Sequence, residues 1–182
     1  MALSALSDEL MRAEGMMMQD QNDEALELLL RLAEDAEEYV DCNCQTTDEL
    51  QYFAFPTLFD RLAYRRVEND PRKLEDVHEP FDRLYGDLAM AYVRTGDYEN
   101  AMNALKTAIR WNPMNCGFRL DLADLFKIAG DIREHIALTF GVFERASEAR
   151  HLTRAFLNFA AWFEAQGRLE QTAACLRAAR RF

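Results

Sequence analysis

At 182 residues, with 49% hydrophobic and 29% charged side chains, the chain has enough apolar mass for one well-buried core. Seven glycines and four prolines are too few for the frequent turns of an all-β sandwich, so long helices are expected. The net charge of −11 is uneven: residues 1–100 hold 24 acidic and 9 basic side chains, a balance of −15, and residues 101–182 hold 8 and 12, a balance of +4. An acidic front half repels nucleic acid and anionic membrane surfaces, which removes both as main partners.

No apolar run approaches the roughly 20 residues that span a bilayer. The opening stretch MALSALSDELMRAEG lacks a basic region and turns acidic at Asp8, so no secretory leader is read and cytoplasmic residence is expected. In that setting Cys42, Cys44, Cys116 and Cys175 are expected as free thiols.

Ser7, Asp8 and Glu9 offer caps for a first helix with Leu10, Ala13 and Met17 on one face. Asp23 and Glu24 open a second, carrying Leu26, Leu29, Leu30 and Ala33. Thr46 and Glu49 have capping-box spacing and predict a third helix reaching about Val67. Asp70-Pro71 predicts a short helix over 71–77, and Glu79-Pro80 begins the helix of Leu84, Leu88 and Tyr92. Beyond it, Gly96-Asp97, Gly130-Asp131 and Gly167-Arg168 each close one helix and open the next within about three residues. Such short links force antiparallel neighbours, so the chain reads as a string of helical hairpins.

The hairpins repeat. Gly96, Gly130 and Gly167 are separated by 34 and 37 residues. Aligned on them, Leu88-Ala89 matches Leu122-Ala123 and Phe159-Ala160, while Tyr92 matches Phe126 and Phe163. Residues Phe81 to Pro113 carry Tyr85, Leu88-Ala89, Tyr92, Gly96, Tyr98, Ala101, Leu105, Ala108 and Pro113 at their set intervals. In these positions the sequence resembles the tetratricopeptide repeat family. The later units depart from the pattern, with His135, Thr139 and Thr172 where small or large apolar residues belong. The small Ala89 and Ala101 permit close helix approach, with Tyr92, Tyr98 and Leu105 filling the volume around them.

The expected fold is therefore all-α: a short right-handed α-solenoid of three such units (81–114, 115–148, 153–182), one folded domain overall with an irregular helical part at 1–80. A degenerate unit without its glycine is read at 5–40, while residues 40–80 do not fit the period.

Catalytic signatures are weak. Cys42-Asn43-Cys44 lacks metal-site spacing and a second ligand pair, and His78, His135 and His151 are isolated. No phosphate loop is present, so no catalytic residue, metal or cofactor is assigned. Met16 to Met18 reads as packing of a terminal helix. The run AFLNFAAWFEA, residues 155–165, is apolar around nearly its whole circumference. Phe156, Trp162 and Phe163 are accordingly candidates for self-association, as a homodimer through the C-terminal hairpin.

The family resemblance implies a concave groove, lined by the first helix of each hairpin, that holds a protein or peptide partner. Carried onto this chain, the groove positions are Arg83, Met90 and Arg94, then Leu120, Asp124 and Lys127, then Arg154, Leu157 and Glu164. One variant of the family grips a C-terminal carboxylate with lysine and asparagine there; no asparagine stands at these positions, so that clamp is not implied. Arginine mixed with apolar side chains suits an extended segment with acidic and hydrophobic residues. Alternatively residues 45–77 fold back into the groove. The implied function is a non-catalytic interaction module, adaptor or scaffold. The alternatives are a chaperone-like holder of a client segment, or a ligand sensor or enzyme with an unrecognised site.

Overall fold

The computed structural model describes residues 3–182; the first two residues of the 1–80 segment lie outside the described residues. The chain divides into two compact units, Met1–Pro113 and Met114–Phe182.

The first unit begins with an antiparallel hairpin of α1 (Leu3–Met18) and α2 (Asn22–Asn43). Leu10, Ala13, Ala25 and Leu29 are fully buried along it. This is the stretch expected to hold a degenerate unit. No glycine closes α1; Asp20 takes the left-handed turn itself, at φ 62°, and its Oδ1 accepts a hydrogen bond from Asn22 Nδ2 at 2.9 Å. Aspartate tolerates that conformation because its short polar side chain bonds locally.

A second hairpin, α4 (Phe81–Thr95) and α5 (Tyr98–Trp111), packs through α4 on α2. Gly96 closes α4 at φ 82°, and Asp97 caps α5 by accepting from Asn100 N. Ala89 and Ala101 are buried at 2% and 0% exposure, as a close helix approach requires. Leu105 is buried too, whereas Tyr98 is 46% exposed and so does not fill the interface. Ala101→Leu should cost about 1–3 kcal/mol, because the added methylenes have nowhere to go; an unchanged melting temperature would contradict this packing.

Between the hairpins lies the main correction to the sequence reading. Residues expected to be helical over 46–67 and 71–77 form β1 (Leu50–Phe53), α3 (Leu58–Glu68) and β2 (Lys73–Asp76). The strands pair in parallel, Leu50 opposite Lys73 and Phe53 opposite Asp76, with α3 as the crossover. Thr47 Oγ1 accepts from Glu49 N and Leu50 N, so the apparent capping box makes a turn into β1. The helix waits until Pro56 is passed and starts behind Thr57, whose side chain accepts from Asp60 N. Asp70 does not cap a helix. Its carboxylate binds the Arg72 guanidinium at 2.6–3.2 Å and the Tyr64 hydroxyl at 2.9 Å, while Arg72 Nη1 donates to Gln51 Oε1. The Arg72 hydrogen bonds hold the Asp70 carboxyl well below the usual range, and burial pushes the Tyr64 phenol up to about 12. Ala54 N donates to Trp111 O at 2.9 Å, fastening this insert to the carboxy end of α5.

The second unit consists of two hairpins, α6 (Cys116–Ile128) with α7 (Ile132–Arg145), and α8 (Ala149–Ala165) with α9 (Leu169–Ala179). Gly130 and Gly167 close α6 and α8 at φ 85° and 70°. Cys116, Leu120, Val142 and Ala155 form a core. His135 fills its anomalous place as a buried core residue: its Nδ1 lies 2.8 Å from Ala123 O, an acceptor, so Nδ1 carries the proton. Thr139 is fully buried and donates to His135 O at 2.8 Å.

Candidate functional site

The groove candidates separate into two behaviours. In the first unit, Arg83 and Arg94 are turned onto α1. Arg83 Nε and Nη2 donate to Glu14 Oε1 at 2.9 and 2.6 Å, and Arg94 Nη1 donates to Met17 O at 3.0 Å. These arginines join α4 to the N-terminal hairpin. Beside them Asp87 is only 18% exposed and 3.9 Å from Arg83 Nε. Burial, with the like charge of Glu14, pushes the Asp87 carboxyl up to about 7, against the pull of Arg83. Met90 is 49% exposed on the same helix.

In the second unit the candidates share a face. Helices α6 and α8 pack against each other, both being first helices of their hairpins. Arg154 bridges them, with Nη1 on Asp121 Oδ1 and Nη2 on Asp124 Oδ2, each at 2.7 Å. All three side chains are 38–46% exposed, so solvent screens each pair and each contributes about 0–1 kcal/mol. Leu157 stands one turn further along α8 at 48% exposure, and Lys127 and Glu164 are also exposed. Leu120 is fully buried beneath this face and supports it from the core rather than presenting a surface.

Asp121 was missed in the sequence. Its signal was present, since Asp121 and Asp124 are three apart on one helix and therefore share a side. Phe156, Trp162 and Phe163 are half-buried in a chain of rings: Phe143–Phe156 at 4.8 Å, Phe143–Phe159 at 5.7 Å and Trp162–Phe163 at 4.8 Å. The three histidines do not converge on a nucleophile. His78 is exposed in a turn and His135 is locked in the core; His151 is 9% exposed, its basicity lowered by burial.

Residues 82–115 match the tetratricopeptide repeat family model, the same stretch in which α4 and α5 form a hairpin around Ala89 and Ala101. This part of the chain is a tetratricopeptide repeat, a module whose usual work is protein interaction. A comparison with curated proteins finds no match. Among solved structures the chain is similar to a crystal structure of MamA, at 13% identity over 93% of this chain and 92% of that one, with a TM-score of 0.46. It is also similar to a structure of MamA AMB-1, at 16% identity over 97% and 91% of the two chains, with a TM-score of 0.43. Among the described residues no helix is long and apolar enough to cross a membrane.

Proposed function

We propose that the chain is a non-catalytic, cytoplasmic interaction module, an adaptor or scaffold, that takes an extended protein segment on the face shared by α6 and α8. The observation that carries this reading is the Arg154 bridge to Asp121 and Asp124 beside the exposed Leu157. A partner segment with one charged and one apolar residue at neighbouring positions replaces weak solvent-screened pairs and covers Leu157 in one step. The test is partner capture from the source cell with the wild-type chain and with Leu157→Asp or Lys127→Glu. Recovery of the specific partners should fall at least several-fold in each variant. Equal recovery by all three forms would remove this face from consideration.

Self-association is a second reading, favoured by the apolar side of the last hairpins. Phe140 and Phe182 are 61% and 56% exposed there and extend the ring chain of Phe143 and Phe156 to solvent. A copy of the chain meeting this patch would form a dimer about a twofold axis. Light scattering at micromolar concentration should give a dimer mass that Phe140→Ser reverts to monomer; a monomer mass for the wild type would refute it.

A further inference from the structure

The insert creates a cleft of about 520 Å³ within the first unit, between residues 54–61 and the start of α4. One wall is apolar, made of Phe55, Pro56 and Leu58. The acidic residues Asp76, Glu79 and Asp82 line the cleft elsewhere. Two of these are held out of water, Glu79 at 9% exposure and Asp82 at 8%. Asp82 is satisfied by neutral donors alone: Arg83 N at 2.8 Å and Asn112 Nδ2 at 2.8 Å. Glu79 Oε2 is buried and has no hydrogen-bond partner among the described residues.

A buried carboxyl without a partner is costly and rare in a folded chain. Its burial raises the Glu79 pKa, and burial does the same to Asp82. The cation in the cleft, Arg61, points its Nη2 at Leu74 O, 2.6 Å away, and so is committed to β2. Among the described residues no cation is hydrogen-bonded to Glu79 or Asp82. The shape of the cleft adds a second requirement, because the apolar wall suits the methylene stem of a long basic side chain. At the rim Leu58 is 70% exposed, and beyond it α3 exposes Phe59 and Leu62 at 63% and 60%, which suits apolar residues flanking that cation.

We propose that this cleft binds an arginine or lysine side chain carried by an extended apolar segment of a partner polypeptide. The cation donates to Glu79 Oε2, its stem lies along Phe55 and Pro56, and flanking apolar residues cover Leu58 and Leu62. This adds a second surface to the protein-binding reading and does not depend on the α6–α8 face.

The experiment is an amide-resolved NMR titration of the full chain with the acetylated, amidated peptide Leu-Arg-Leu, and with its citrulline counterpart, which keeps the shape and loses the charge. The arginine peptide should give saturable shifts at residues 54–58 and 79–83, and bind at least about tenfold more tightly than the citrulline peptide. Glu79→Gln should weaken binding by a similar factor with an unchanged circular dichroism spectrum. Leu58→Ser, on the exposed rim, provides a second variant that leaves the buried carboxyls intact and should weaken binding several-fold. Equal binding of the two peptides, equal binding by Glu79→Gln, or absence of saturable shifts at the cleft would overturn the proposal. Putrescine binding as tightly as the peptide would overturn the polypeptide source. Leu157→Asp should leave these shifts untouched, so failure here and failure of the α6–α8 face are separable.

Discussion

Trp111→Ala should lower the unfolding free energy by about 3–5 kcal/mol, the range for truncating a large buried aromatic ring. Trp111 is 2% exposed at the end of α5. Its ring lies 5.2 Å from that of Phe81, which in turn meets Tyr39 of α2 at 6.0 Å. Its carbonyl receives Ala54 N from the insert. The indole is therefore the place where the tetratricopeptide repeat, the N-terminal hairpin and the insert are packed together. Losing it opens a cavity that close-packed neighbours fill only in part. Urea unfolding followed by circular dichroism measures the loss, and a change below about 1 kcal/mol would show that the ring is not a core element.

Asp87→Asn should change how stability depends on pH. Burial pushes the Asp87 carboxyl up to about 7 in the folded chain, well above the ordinary aspartate range of the unfolded one. Between those values the folded state binds more protons than the unfolded one, so wild-type stability falls as pH rises through this window. The groups facing it are Glu14 from α1, with Arg83 and Asp82 from α4. Asparagine removes the titration while keeping the volume. The variant should therefore gain about 2–4 kcal/mol relative to wild type between pH 4 and pH 8. The contribution from Glu79, also raised, cancels in that difference. Parallel stability curves for the two proteins would refute the buried-carboxyl account.

The hairpins were legible in the sequence because their ends are written in local chemistry. A glycine at positive φ followed by a capping aspartate occupies two adjacent positions, at Gly96-Asp97 and again at Gly130-Asp131. The insert was not legible because its signals imitate others. Thr46 and Glu49 have the spacing of a cap, and the β2 residues Lys73 to Asp76 contain one apolar side chain and no alternation. Pro56, in the middle of the expected helix, was the clue that a helix there must break. Arg83 and Arg94 looked like surface cations because their partners are distant in sequence: Glu14 is 69 residues from Arg83, and Met17 is 77 from Arg94. The Arg154 bridge shows the opposite case, since two of its three members were already picked out by the repeat.

Those long separations set a timetable for the growing chain. In the second unit each helix finds its partner in the next one to be made, so assembly proceeds by short loop closures and is fast. The opening hairpin has a different history. It leaves the ribosome before the insert and α4 exist, so the side of α2 that packs on α4 stays uncovered until α4 arrives to receive it.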